Sequence, residues 1–336
     1  MNHRHDPLRL SDEEFLLLRQ RHRRPAAGAE TARRKPRNLV PLAVFLAIAT
    51  IVSTFWSGIC AWVPYVPLEQ AWFHGTALPI RQVILANWVG GLQFSLALMA
   101  ILVAHELGHY LMTIYYGVPS TPPLFIPFPL ISPIGTMGAV IMMQSGTANR
   151  RQIFDIGLAG PLAGLVVAVP IIIWGVLDGH PLPRIPDGPE GTLVFGQPLL
   201  VQWLAGWLVP ERASEFVAVS NAHLNPFLMA GWVGLLVTGL NMMPLGQLDG
   251  GHVAFGLLGR RSFWVAVFAM LASLGYMIYT QVAAFALMLL LVFFMGLRHP
   301  PSSDDEVTLG ALRQVVGWLS LVLPLLCIPG NPVSMP

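Results

Sequence analysis

Long uncharged stretches recur along the chain at intervals suited to helices that cross a bilayer. A hydrocarbon core about 30 Å thick takes about 20 helical residues. Seven runs reach or approach that length: residues 39–63, 83–116, 153–177, 225–243, 262–279, 282–297 and 310–328. Read as one helix, residues 262–297 would be about 54 Å long. That exceeds a single crossing, so a break is expected near Thr280-Gln281. The run 197–209 is shorter and bounded by Pro198 and Pro210, which suits an interfacial or re-entrant piece. Residues 124–144 are unlike a span. They carry Pro127, Pro129 and Pro133, then Gly135 and Gly138. Proline interrupts a helix, and Val140-Ile141 after the glycines suits a strand. This stretch predicts a β-hairpin or loop, which at membrane depth must be buried in protein or line a cavity. The expected fold is an all-α polytopic membrane protein of about seven transmembrane helices, with this one membrane-associated hairpin or loop.

Composition agrees. Hydrophobic residues make up 54% of the 336 positions and charged residues 11%, against about 25% charged in soluble chains. An ordinary soluble enzyme, a disordered tail and a nucleic-acid-binding domain are excluded. The net charge is only +2, but it is unevenly spread. Of 19 Lys and Arg residues, ten precede Leu39. With the N-terminus in the cytoplasm, seven crossings leave 16 of the 19 on the cytoplasmic side and only Arg81, Arg184 and Arg212 opposite. That is the bias that sets membrane orientation.

The layout is then a basic cytoplasmic arm at 1–38, a first helix and loop at 39–82, a core at 83–259 and C-terminal helices at 260–336. In the arm, Ser11-Asp12-Glu13-Glu14 before Phe15-Leu16-Leu17-Leu18 reads as a capping box opening a short amphipathic helix. The arm serves as a topology signal against anionic lipid or as a regulatory, partner-binding segment. No small-residue cleavage site follows the long basic head, so the first apolar run is expected to be a retained anchor. Cys60 and Cys327 lie within apolar runs and form no CxxC pair, which suggests no disulfide framework.

Charge is costly in lipid, about 2.5–3.5 kcal/mol at a span centre, so Glu106 well inside the second run needs a reason. Its neighbours are His105-Glu106-Leu107-Gly108-His109. Residues four apart share a helix face, so His105 and His109 can grip one metal ion while Glu106 reaches a water beside it. This is the H-E-x-x-H arrangement of metalloproteases. Composition alone would produce it roughly 0.01 times in a chain of this kind. A catalytic zinc takes three protein ligands. Asp249 is the candidate for the third, in Asn241-Met242-Met243-Pro244-Leu245-Gly246-Gln247-Leu248-Asp249-Gly250-Gly251-His252. Spans of equal parity run the same way, which brings the ends of the second and fourth to the same side. The competing readings are two pore-facing histidines with a paired glutamate, and a turn aspartate before Gly-Gly. Asn241 either binds an oxyanion or substrate backbone or simply ends a helix before Pro244. His252 is an interfacial histidine or a residue behind the metal ligands. His223 is read as a hydrogen-bonded interfacial residue. Gly157, Gly160 and Gly164 are spaced for close helix packing.

At these residues the chain resembles the site-2 proteases, zinc metalloproteases that cut within the membrane. The likeness rests on His105-Glu106-Leu107-Gly108-His109, and on Asn241…Pro244…Leu248-Asp249-Gly250, which matches that family's Asn-x-x-Pro-x-x-x-Leu-Asp-Gly signature. It also rests on the small-residue stretch Ile156-Gly157-Leu158-Ala159-Gly160-Pro161-Leu162-Ala163-Gly164. The stretch from Ala230-Gly231-Trp232 to Gly251 is most like the branch that includes chloroplast members, without a PDZ-type domain. The resemblance covers about half the chain, near residues 83–259. It implies one zinc ion per chain held by His105, His109 and Asp249, and Glu106 as the general acid/base that activates water. It further implies endopeptidase cleavage of a transmembrane segment of another membrane protein, as in regulated intramembrane proteolysis, with the 124–144 hairpin beside the zinc. The expected partners are that segment and the bilayer, with no nucleic acid. The expected location is a bacterial plasma membrane with the active site toward the cytoplasm. Two other classes compete. One is a polytopic transporter or ion pathway lined by Glu106, Asp155 and Asp249. The other is a non-catalytic zinc-binding scaffold, against which the intact Glu106 argues.

Overall fold

The computed structural model describes residues 38–130, 132–178, 193–221, 223–280 and 286–334. The basic arm with its expected amphipathic helix, Arg184 and the expected break at Gln281 lie outside them. The described chain is mostly helical. In order it contains α1 (Val40–Ile59), α2 (Val66–His74), α3 (Leu78–Tyr116), β1 (Leu124–Pro127), β2 (Thr136–Val140), α4 (Arg150–Asp178), β3 (Val194–Gly196), α5 (Leu199–Leu208), β4 (Ala218–Ser220), α6 (Pro226–Asn241), α7 (Asp249–Leu258), α8 (Ser262–Thr280), α9 (Ala286–Met295), α10 (Ala311–Ser320) and α11 (Leu323–Cys327).

Four helical stretches among the described residues are long and apolar enough to cross a membrane: α1, α3, α4 and the run Asp249–Thr280, in which α7 passes into α8 through a short 3-10 turn. The chain is thus built as a multi-pass membrane protein. Helix α6 is apolar but has only 16 residues, about 24 Å. Its shortness has a packing reason. Met229, Ala230, Val233 and Leu235 are fully buried, because α6 lies among α3, α4 and α11. A helix enclosed by protein need not match the lipid thickness.

Local chemistry sets the ends of the helices that carry the site. Pro lies in the first turn of α3, and Gly117 ends it at φ 65°, its N–H turned back to Thr113 and Ile114 carbonyls. A left-handed residue there satisfies carbonyls the helix leaves open. Helix α4 opens with a reciprocal box: the Asn149 N–H donates to Gln152 Oε1 (2.9 Å) and the Gln152 N–H to Asn149 Oδ1 (3.0 Å). For α6, Asn225 Oδ1 accepts from the Leu228 N–H at 2.8 Å, and its Nδ2 donates to the Gly175 carbonyl at 2.6 Å. One side chain therefore caps α6 and ties it to the end of α4.

Strands β1 and β2 pair antiparallel, with an irregularity between Phe125 and Pro127, where the proline cannot donate to the ladder. This hairpin falls inside the non-helical stretch expected at 124–144. Ser53 of α1 donates to the Gly135 carbonyl at 2.6 Å. Gly135 has φ +76°, and a Cβ there would lie 2.6 Å from the Ser53 carbonyl oxygen, so only glycine lets the turn seat on α1. A second antiparallel hairpin, β3–β4, and the helix α2 were not expected from the sequence. Three-residue strands are too short to show an alternating pattern.

The C-terminal helices are tied back to the core by an ion pair. Arg313 of α10 donates twice to Asp155 of α4 (2.8 and 3.0 Å), and the Tyr116 hydroxyl at the end of α3 donates to the same carboxylate at 2.5 Å. Arg313→Ala would leave a largely buried carboxylate without its cation. It is expected to cost about 1–2 kcal/mol, seen as a thermal midpoint several degrees lower in detergent, with Arg313→Lys in between.

Candidate metal centre

His105 and His109 lie one turn apart on α3, and Asp249 is the first residue of α7. Their ligand atoms converge. His105 Nε2 lies 3.3 Å and His109 Nε2 3.2 Å from Asp249 Oδ2, and the two nitrogens are 3.2 Å apart. Zinc bonds of about 2.0–2.1 Å at tetrahedral angles place ligand atoms about 3.3 Å apart, so the spacing fits one such ion. The protonation pattern fits as well. His109 Nδ1 lies 2.7 Å from the Ile156 carbonyl, which can only accept, so that nitrogen carries a proton, and in the neutral ring that binds metal Nε2 turns a lone pair toward the same point as Asp249. Asp249 Oδ2 is buried without a hydrogen-bond partner among the described residues. Lone pairs facing one another in a buried site are favourable only around a cation. These three residues form the candidate metal-holding group of the described chain.

The bend that delivers Asp249 follows from its sequence. Helix α6 ends at Asn241, residues 242–248 turn, and α7 begins. A Cβ on Gly250 would strike the Met242 carbonyl oxygen, and one on Gly251 the Gly246 carbonyl oxygen. Asp249 thus opens a helix, and the two glycines let that helix fold tightly against the turn. The side chain of Asn241, besides ending α6, places Nδ2 3.3 Å from His105 Nε2.

The small-residue face of α4 lies directly behind the candidate ligands. A Cβ on Gly160 would fall onto the His109 ring, one on Gly164 would lie 3.2 Å from His105 Nδ1, and one on Gly157 would lie 2.6 Å from His252 Cβ. From the other side, a Cβ on Gly108 would come within 2.6 Å of the Ala159 carbonyl oxygen. The spacing that predicted close packing is here, and what it packs against is the cluster itself.

Glu106 is 4% exposed. It shares a cavity of about 120 Å³ with the three candidate ligands, Asn241, His252, and Ala139, Val140 and Ile141 at and just past the end of β2. His252 lies on α7 one turn beyond Asp249, with Nδ1 2.7 Å from His299 Nε2. Sequence reasoning passed over His299, because a lone His before Pro300-Pro301 after an apolar run carries no spacing signal. His223 is hydrogen-bonded to Ser220 Oγ at 2.7 Å, away from the cluster. Among the described residues Glu106 and Asp249 line this cavity, whereas Asp155 lines a separate one and is engaged with Arg313 and Tyr116.

Two helical histidines and an aspartate from a distant helix, beside a buried glutamate, make up a metalloprotease-type centre sunk among apolar helices. A sequence model of peptidase family M50 matches residues 93–287, and the chain belongs to that family, whose members include the site-2 proteases. Among its relatives is the probable zinc metalloprotease EGY2, chloroplastic, of Arabidopsis thaliana, 31% identical over 71% of this chain and 42% of that protein. Another is EGY1 of the same plant, 26% identical over 85% of this chain and 52% of that protein. The probable zinc metalloprotease EGY3, chloroplastic, of Oryza sativa subsp. indica is 29% identical over 68% of this chain. The chain spans about half the length of these relatives. No solved structure matches it.

Proposed function

We propose that the protein is a zinc-dependent intramembrane endopeptidase that cuts a transmembrane segment of another membrane protein, in the manner of regulated intramembrane proteolysis. The observation that carries this reading is the convergence of His105, His109 and Asp249 at tetrahedral spacing, with Glu106 in the same cavity. Zinc held by those three side chains supplies a Lewis acid that polarises a peptide carbonyl and acidifies water. The other steps belong to the chain. Glu106 takes a proton from the attacking water and passes it to the leaving amine. Asn241 offers its amide N–H to the oxyanion or to substrate backbone. Strand β2 pairs with β1 on one side, and residues at its end line the cavity. A substrate segment unwound from its helix pairs there as an added strand, which exposes a peptide bond that the helix would shield.

The catalytic core is assigned to residues 83–259, between the first helix and the C-terminal helices. Seven crossings with the N-terminus in the cytoplasm put the centre toward the cytoplasmic side, and a bacterial plasma membrane suits that orientation.

The test uses the purified full chain and a single-span substrate. A strong chelator is expected to stop cleavage, and one equivalent of zinc per chain to restore it. Undiminished cleavage after metal removal would overturn the reading. So would metal-dependent ion flux in vesicles with no cleavage, which is the transporter's signature.

A further inference from the structure

A second cavity, of about 330 Å³, adjoins the metal cavity. The two share Val140, Ile141, Met143, Gln247 and His252 as common walls. The second is also lined by His299 and Pro300, which lie beyond the residues matched by the family model. Residues 140–144, running on from β2, therefore pass along both cavities.

The hydrogen bonds around His299 settle which ring atoms carry protons. His299 Nδ1 lies 2.6 Å from the Pro300 carbonyl oxygen, which can only accept, so His299 donates from Nδ1. Its Nε2 is then a lone pair, and the contact at 2.7 Å makes His252 Nδ1 the donor. That leaves His252 Nε2 as an acceptor in a wall common to both cavities. A ring stack also holds the arrangement. The His299 ring stacks on Phe255 at 4.1 Å and 5°, and Phe255 is on α7, three residues after His252. Burial also holds the His299 imidazole below the ordinary histidine range, which keeps it neutral at pH 7.

We propose that the second cavity is a subsite for the extended substrate chain beside the cleaved bond, and that His252, set by His299, is the acceptor for a substrate backbone N–H there. His299 is a positioning residue, and the segment beyond the family match completes the site. An extended peptide laid along residues 140–144 has backbone N–H groups to satisfy on its far side, and each one buried and left unpaired costs binding. The inference rests on the protease reading above.

The experiment measures kcat and KM on a synthetic peptide substrate, with zinc content measured in parallel. His299→Ala is expected to raise KM about tenfold, with kcat within about twofold and zinc unchanged. His299→Gln, whose amide oxygen still accepts from His252 Nδ1, should stay near wild type. His299→Lys, which can only donate, should be at least as impaired as the alanine variant. Replacing the substrate's backbone amides near the cleaved bond by esters, one at a time, removes single N–H donors. One ester should raise KM in wild type and have little further effect in His299→Ala, because both changes remove the same bond. Equal KM across the series, equal impairment of the Gln and Ala variants, a fall in kcat or zinc instead of KM, or fully additive ester effects would each overturn the proposal. If wild type itself fails to cleave, the protease reading fails first, and the two failures are distinct.

Discussion

Glu106→Gln is expected to abolish peptide cleavage while zinc stays bound at one ion per chain. The change keeps the size and the hydrogen-bonding reach of the side chain but removes its basic oxygen. General acid–base catalysis supplies about 10²- to 10⁴-fold in rate, and the same residue serves twice, at the water and at the leaving amine. A loss of at least about a thousandfold in kcat follows, with KM little changed. Zinc content is the separating measurement. The three candidate ligand atoms sit on His105, His109 and Asp249, so a glutamine at 106 leaves them in place. Loss of both metal and activity would make Glu106 part of the metal-holding set, and the division of roles proposed here would be wrong. Retained cleavage would remove Glu106 from the chemistry altogether.

Gly160→Ala should be a severely damaging single-methyl change in the core. The added carbon would fall onto the His109 ring. That ring is held on one side by the Ile156 carbonyl and on the other by its ligand position beside Asp249, so it has nowhere to retreat without leaving one of them. Overpacking of this kind costs about 1–3 kcal/mol in stability. Shifting a metal-orienting group costs about 10- to 100-fold in metal affinity, and here the ligand itself is displaced. Competition with a chelator of known strength reads the affinity directly. Gly275→Ala on α8 is the control, because a Cβ there meets nothing within 4 Å. It should leave zinc binding untouched and stabilise the helix slightly, by about 0.5–1 kcal/mol. If both substitutions bind zinc equally well, the close approach of α4 to the cluster does not hold.

Both expectations depend on different layers of the molecule. Glu106 was legible in the chain, because a carboxylate deep in an apolar run is too costly to be idle and its two histidines stand at helical spacing. Asp249 was legible only through its company, since an aspartate before Gly-Gly is as good a turn as a ligand. The tight turn 242–248, and a helix beginning at Asp249 itself, bring its carboxylate to the two histidines as a candidate ligand. The glycines of α4 showed their spacing but not their target. The second hairpin, the helix α2 and His299 gave no signal: three-residue strands have no period, and a lone histidine beside two prolines has no partner in sequence.

Hydrophobic runs and their charge-free length determine that this chain is helical and membrane-embedded, because the cost of exposing charge or backbone to lipid is paid residue by residue. The four-residue spacing of His105 and His109 determines a two-nitrogen grip for the same local reason, since one turn of helix puts them on one face. What only the three-dimensional packing decided is the third ligand's distance, the glycine face pressed on the histidine rings, and the pairing of His252 with a residue 47 positions away. Those contacts join segments far apart in the chain. Their geometry depends on how closely α3, α4 and α7 can approach, which no single segment encodes alone.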